Sequence, residues 1–454
     1  MIRRKSIATI AMIMSLCVGS AAPAQTLADA LTSAYNNSGL LDQNRALLRA
    51  ADEGVAQSVS ATLPVINWSI SANRSRVDVP VETTTTSALA RISADLTLYN
   101  GGANRLAIEA QKEVVLGTRQ ALRGVEQNVL LRAVQAYMSV LSAREFVQLR
   151  ENNVRLITQE FRAAQDRFEV GEVTRTDVAL AEARLAAARS LLAAAQGDLA
   201  RSQEEYVVAV GAPAQNARAV NPAPVSRSLS DAKAFAVRNH PSILEAQHSV
   251  AAADLNVLRA EASVRPRVSL NASVSADDDS NSSGQLGLTL SGPIYNGGLI
   301  ASQIRQSRSN RDATRSGLHL TVLGIEQQVG NAYASLQVAQ ASRQASEQQI
   351  SAAEVAFQGV REEASLGSRT TLDVLNAEQE LLDARANRIA AQSDEVVASY
   401  SLLAAMGLLT ADHLNLPVQQ YDPAAYYNLV DSAPVAISPQ GQALDRILEA
   451  IGKE

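Results

Sequence analysis

Hydrophobic residues recur along this chain with two different periods, and the switch between them marks its elements. Across Ala103 to Phe168 the spacing alternates between three and four, as in Val129, Ala133, Ala136, Val140, Ala143 and Val147. That is the seam of a coiled-coil-like helix whose many alanines let a neighbouring helix approach closely. A helix over 103–168 makes a rod of about 100 Å at 1.5 Å per residue. Val170-Gly171-Glu172 then predicts a helix C-terminal cap and a tight turn, and a return helix follows over 174–210. Upstream of the rod the period falls to two. Ile66, Trp68, Ile70 and Ala72 alternate with Asn67, Ser69, Ser71 and Asn73, predicting a strand over 64–76. Ala90, Ile92, Ala94, Leu96 and Leu98 alternate with polar residues, predicting another over 88–99.

The whole arrangement occurs twice. Leu98-Tyr99-Asn100-Gly101-Gly102 recurs 196 residues later as Ile294-Tyr295-Asn296-Gly297-Gly298, and the same offset carries Tyr137 onto Tyr333, Gly171 onto Gly367, Asp177 onto Asp373 and Gly211 onto Gly407. Upstream of the strands the offset is 202, taking Leu27, Asn37 and Pro64 onto Leu229, Asn239 and Pro266. Six extra residues therefore lie in one loop of the first copy. So long a period means a duplicated domain-sized unit rather than a solenoid. The first repeat is expected over 25–212, a connector over 213–228, the second repeat over 229–416 and an irregular C-terminal tail over 417–454. In the second repeat the strands fall at 266–276 and 285–294, the rod at 298–364 and the return helix at 371–406, after a turn at Leu366-Gly367-Ser368. Prolines are missing from Val81 to Ala212 and from Ile294 to Leu416, which leaves both hairpins uninterrupted. Each return helix is about 55 Å long and needs a second short helix stacked on its end to match a rod. The sequence order pairs 174–210 with a helix over 229–262, and a helix over 27–61 with the second return helix.

Composition adds an address. Arg3, Arg4 and Lys5, an apolar run from Ile7 to Val18 and the small residues Ala22-Pro23-Ala24 read as a signal peptide over 1–24. The single cysteine, Cys17, lies within it behind Leu16, a poor fit to a lipid-attachment site. A mature chain without thiols has no disulfide, cysteine nucleophile or thiolate-bound metal. A net charge of −6 with scattered signs excludes a basic nucleic-acid surface. Aromatics are only 4% of the chain, which suits long helices packed on small side chains. The longest apolar run after the leader, Val396 to Ala411, is too short for a spanning helix, which needs about 20 residues.

Period-two alternation alone fits a half-buried soluble sheet as well as a membrane strand. A secreted, thiol-free chain with rods joined directly to the strands favours the membrane. Four strands cannot close a barrel, whose smallest form has about eight, and an open edge in lipid leaves backbone groups unpaired. A membrane barrel made from this chain must therefore be shared between subunits.

With duplication, paired hairpins and strand-to-helix junctions in place, the chain resembles the TolC family of outer membrane efflux proteins. Ser291 to Gly298 and Gly367 to Leu381 carry the resemblance, with weaker versions at Leu98 to Gly102 and Gly171 to Leu185. It implies a mainly α fold with a transmembrane β-barrel part: a homotrimer with one shared 12-stranded barrel and a periplasmic helical tunnel in the outer membrane. It further implies a periplasmic adaptor and an inner-membrane transporter of RND, ABC or MFS type as partners, and outer membrane lipid as surroundings. By the same resemblance Asp373 matches the first of two constriction aspartates, the second being replaced by Asn376. Arg369 and Thr176 match a bonded pair that helps close the tunnel. Asp177 matches a gate position whose tyrosine partner is here Ala364. The exposed tips Val170, Gly171, Glu172, Leu366, Gly367 and Ser368 would meet the adaptor.

Plainer roles stand beside these. Thr174-Arg175-Thr176-Asp177 and Thr370-Thr371-Leu372-Asp373 both have the form of a capping box at the start of a return helix. The glycines of both Tyr-Asn-Gly-Gly turns suit a change from sheet to helix. Glu245 and His248 have the Glu-x-x-His spacing of a di-iron helix, but no second such pair exists. With neither a phosphate loop nor a nucleophile elbow, the reading includes no catalytic, cofactor or metal site. The competing function is a secreted or periplasmic coiled-coil structural or adhesion protein, which would have no use for lipid-facing strands.

Overall fold

The computed structural model describes residues 25–78, 83–214, 217–225, 227–279 and 281–451, so the expected signal peptide lies outside the described residues. The order of elements is α1 (Leu27–Asn37), α2 (Gly39–Ser60), β1 (Val65–Val77), β2 (Thr83–Tyr99), α3 (Ala103–Glu169) and α4 (Arg175–Val210). The second copy follows as α5 (Leu229–Asn239), α6 (Pro241–Ala262), β3 (Arg267–Asp277), β4 (Ser282–Ser291), α7 (Leu299–Ser365) and α8 (Thr371–Ala405). The chain then adds α9 (Pro423–Val430) and α10 (Pro439–Ile451). Both rods have 67 residues, a length of about 100 Å.

Each helix expected between a repeat's start and its first strand is instead broken in two. Ser38 leaves helical geometry and caps α2, its Oγ accepting from the Leu41 N–H at 3.3 Å. At the equivalent place Pro241 opens α6, and a residue before proline is disfavoured in helical geometry. There His240 Nδ1 accepts the Ser242 N–H at 3.2 Å.

These breaks decide which helices stack. The end of α4 meets the junction of α1 and α2: Ser33 Oγ donates to the Val210 carbonyl at 3.1 Å, and a Cβ on Gly211 would lie 2.5 Å from Asn37 Cβ. The end of α8 meets α5 and α6, with Gly407 against His240 and Pro241. Each return helix therefore continues into the short helices of its own copy, α4 into α2 and α8 into α6. The order of the chain suggested the opposite pairing. The connector makes this possible by crossing the bundle, where the Ala223 N–H donates to Ser399 Oγ on α8 at 2.9 Å.

The core lies where all these columns meet, built from Leu130, Val134, Tyr137, Tyr206, Leu402, Met406 and their neighbours. The C-terminal segment is not irregular, as composition suggested. Asp422 caps α9 and Pro423 opens it, Tyr426 Oη donates to Glu53 Oε1 at 2.7 Å, and Tyr426, Val430 and Leu444 bury against Ala56 of α2.

The four strands form one antiparallel sheet in the order β1-β2-β3-β4. Strand β2 starts five residues before the expected position. Thr84, Thr85 and Thr86 pair with Arg76, Ser75 and Arg74 instead of forming a loop, as β-branched side chains favour extended backbone.

Candidate functional site

The register of the sheet gathers its apolar residues on one face. Trp68 lies opposite Ile92, Ile92 opposite Val274, and the next rows are Ile66-Ala94-Ala272-Leu286 and Leu96-Leu270-Leu288. The other face carries Ser69, Arg91 and Ser275, and there Asn271 Nδ2 donates to Asp95 Oδ1 at 2.5 Å. Trp68 is 76% exposed, and Ile66, Ile70, Leu286, Leu288 and Leu290 are comparably open. So wide an apolar patch marks a contact surface, and alternation with polar residues suits lipid on one side and water on the other. Among the described residues the outer backbone edges of β1 and β4 have no partner strand. Among the described residues no helix is long and apolar enough to cross a membrane.

Sheet passes into rod through two left-handed glycines in each copy: Gly101 (φ 72°) and Gly102 (φ 89°), then Gly297 (φ 63°) and Gly298 (φ 84°). In the first copy Asn100 ties the turn, its Oδ1 accepting from the Asn104 N–H, and Arg265 Nη1 donates to the Gly101 carbonyl at 2.9 Å. A Cβ on Gly101 would lie 2.8 Å from the Ala262 carbonyl. In the second copy Asn296 receives the Leu299 N–H at its carbonyl, yet Gly297 and Gly298 face open space. Tyr99 and Tyr295 are both exposed.

At the far end the tips repeat each other closely. Gly171 (φ 83°) donates its N–H to the Phe168 carbonyl and Glu172 to that of Arg167; Gly367 (φ 79°) donates to Ala364 and Ser368 to Glu363. These bonds close each rod and leave Val170 and Leu366 projecting, Leu366 at 85% exposure. Beyond each tip stands a complete capping box, in which Thr174 Oγ1 receives the Asp177 N–H and Thr370 Oγ1 that of Asp373. Hydrogen bonds from Thr174 hold the Asp177 carboxyl below its usual value, and those from Thr370 do the same for Asp373. Both aspartates are thus engaged as caps. Asp373 and the exposed Asn376 stand one helical turn apart on α8.

Arg369 and Thr176 are not brought together within a chain. Arg369 Nε donates to Glu363 Oε2 of its own tip at 2.8 Å, while Thr176 is exposed. What joins the two hairpins is a different set. Ala164, Ala181 and Leu375 pack with Phe161 and Val178, Arg184 Nη2 donates to Asn376 Oδ1 at 3.3 Å, and Arg361 on α7 lies 3.9 Å from Glu160 on α3. Deepest of all, Asn153 Nδ2 on α3 donates to Glu378 Oε1 on α8 at 2.8 Å, both residues being buried. Sequence reasoning did not single out Glu378, which sits in the polar run Asn376 to Glu380. Its spacing of four from Val374 and three from Leu381 places it on the apolar stripe, and that signal could have found it. The Glu-x-x-His pair forms no metal cluster among the described residues; His248 Nδ1 lies 2.8 Å from Glu113 Oε2, tying α6 to α3.

A model of the family described as Outer membrane efflux protein matches residues 30–212 and 235–408, one segment in each copy. Outer membrane efflux protein BepC of Brucella suis biovar 1 (strain 1330) is 37% identical over 439 residues, covering 94% of this chain and 95% of that protein. Outer membrane protein TolC of Vibrio cholerae serotype O1 is 26% identical over 410 residues, covering 87% of this chain and 93% of its own length. In fold, the Campylobacter jejuni CmeC outer membrane channel superposes with a TM-score of 0.76 over 90% of both chains at 14% identity.

Proposed function

Because this chain belongs to the outer membrane efflux protein family, we propose that it serves as a passive exit duct whose periplasmic end is gated at the hairpin tips. It is an outer membrane channel of the tripartite efflux or type I secretion kind, with a large periplasmic part. The energy for transport comes from an inner-membrane transporter, reached through a periplasmic adaptor that would meet the tips Val170 to Glu172 and Leu366 to Ser368. The transporter, whether of RND, ABC or MFS type, selects the cargo.

The observation that carries this reading is a sheet with an exposed apolar face and two edges unpaired among the described residues, continuous through glycine turns with hairpins about 100 Å long. A secreted scaffold would have no use for that face. Open edges in lipid must be closed by other copies, and three copies would supply twelve strands. The duplication supports such an assembly. Seventeen residues of α3 are buried against seven of α7, although the rods are equally long. Within one chain α6 packs along both rods whereas α2 packs along α3 alone, and the turn at Gly297 lacks the clasp that Arg265 gives Gly101. A neighbouring copy's α2 would fill that place. In a threefold ring the Asp373 carboxylates would face one another at the tunnel mouth, repelling each other and favouring cations.

The test is single-channel conductance of the detergent-purified protein in a planar bilayer, with its mass measured in parallel. A trimeric pore of small resting conductance and cation preference is expected; a monomer that never inserts would overturn the reading.

A further inference from the structure

Above the tips, the two hairpins meet through one polar contact sealed from water. Glu378 is 4% exposed and its partner Asn153 is 6% exposed. One carboxylate oxygen accepts from Asn153 Nδ2 at 2.8 Å; the other, Oε2, is buried with no hydrogen-bond partner. From α3 the group also feels the like charge of Glu160, and from α7 the opposite charge of Arg361, and these two lie 3.9 Å apart. On α4, Arg184 is engaged with Asn376, two residues before Glu378 in the chain. An ionised carboxylate with one oxygen buried and without a hydrogen bond from protein is costly to hold, whereas a protonated one carries no charge to solvate.

We propose that Glu378 is a proton-operated latch between the two hairpins of each chain: protonated, it lets α8 seat on α3, and ionised, it drives the seam to take up water and the hairpins to part. The proposal rests on the gated-duct reading and adds the group that couples the gate to periplasmic pH. Burial, opposed by the Asn153 hydrogen bond and reinforced by Glu160, pushes the carboxyl from 4.5 up to about 7. The sign follows from that rise. The seated seam binds the proton more tightly than the parted one, so seating is favoured in full below about 4.5 and loses that advantage as pH rises through about 7. Between pH 4 and pH 8 the ratio of parted to seated seams should rise on the order of a hundredfold.

Two measurements on the full-length protein test this. In planar bilayers the resting conductance of the wild type should rise about tenfold or more from pH 5 to pH 8. Glu378→Gln, which preserves the Asn153 contact without a charge, should stay at the acid level throughout, as should the apolar Glu378→Leu. A pH response kept unchanged in both variants would overturn the latch. Independently, cysteines replacing Arg184 and Asn376 report seam closure by the yield of a short bis-maleimide cross-link, which spans the reach of the arginine side chain where a disulfide would not, and the one native cysteine, Cys17, lies in the expected signal peptide. Comparing the Glu378→Gln and Glu378 backgrounds at each pH cancels the thiolate chemistry. The yield ratio should be near one at pH 5 and rise about tenfold by pH 8; a ratio of one throughout would overturn the proposal. Failure of the protein to form any channel would count against the duct reading alone, since the cross-linking ratio needs no current.

Discussion

Tyr137 offers a sharp test of how the two copies differ. Its ring is fully buried, and its hydroxyl ties the connector to the segment just before α1: Oη lies 2.9 Å from the Gln25 carbonyl and 2.8 Å from that of Arg218, and it accepts the Arg218 N–H at 2.8 Å. Tyr333, its equivalent 196 residues on, is half-buried and has no hydrogen-bond partner among the described residues. Tyr137→Phe keeps the ring and deletes the hub. Each lost hydrogen bond is worth about 0.5–1.5 kcal/mol net, and a buried group left unpaired costs about 1–3 kcal/mol. Since the connector backbone is only partly buried, the lower end applies, a loss of about 2 kcal/mol or roughly 30-fold in the local opening equilibrium. Arg218 is itself an exposed trypsin site, so the assay is built in. When opening and closing are fast relative to cleavage, the cleavage rate follows the open population. Cleavage at Arg218 should therefore accelerate about 30-fold in Tyr137→Phe and stay within about twofold of wild type in Tyr333→Phe. Equal rates in both variants would refute the argument, because they would mean that the hydroxyl does not hold the connector.

Three further outcomes follow from the geometry. Arg343 bridges Glu395 at 2.5 Å and Glu347 at 2.8 Å, and Glu395 is buried; Arg343→Met should destabilise the α7–α8 hairpin by about 2 kcal/mol, discounted for the half-exposed guanidinium, and Arg343→Met with Glu395→Leu should recover most of it in thermal melts. Gly101→Ala combines a left-handed φ with a Cβ 2.8 Å from the Ala262 carbonyl and should cost about 2–3 kcal/mol, read as a lower melting temperature in detergent. Asp373→Ala should reduce the cation preference of the pore in reversal-potential measurements, while Asp177→Ala, which removes the equivalent cap of the first copy, should leave it unchanged.

Much of this architecture was legible as periodicity. Both long rods, their glycine tips and the four strands follow from a spacing rule that neighbouring residues satisfy locally, and proline-free stretches let those rules act unbroken. The breaks at Ser38 and His240 were present as Asn37-Ser38-Gly39 and His240-Pro241, but helix-compatible residues on both sides masked them. The threonines of β2 read as a polar loop because what extends the strand is pairing with Arg74 to Arg76, a partner that period alone does not name. The C-terminal segment looked irregular for a similar reason: α9 and α10 are short, and short helices gain their stability from packing, here on Ala56 and Glu53.

The sequence by itself determined the frame of the repeating unit: the long rods and return helices, the existence of the four strands, the glycine turns at the tips and at the sheet-to-rod junctions, and that the unit occurs twice. Those are local properties, set by side-chain period, glycine at left-handed positions and threonine caps. Only the tertiary structure decided which short helix continues which return helix, that within one chain Arg369 pairs with Glu363, and that Glu378 is buried against Asn153. Each of these joins residues distant in the chain or chooses between similar partners, and a one-dimensional pattern carries no distance between them. The duplication sharpens the point, since Tyr137 and Tyr333, or Gly101 and Gly297, are interchangeable as sequence. They differ because α3 lies between two layers of its own chain, whereas α7 presents much of its surface outward.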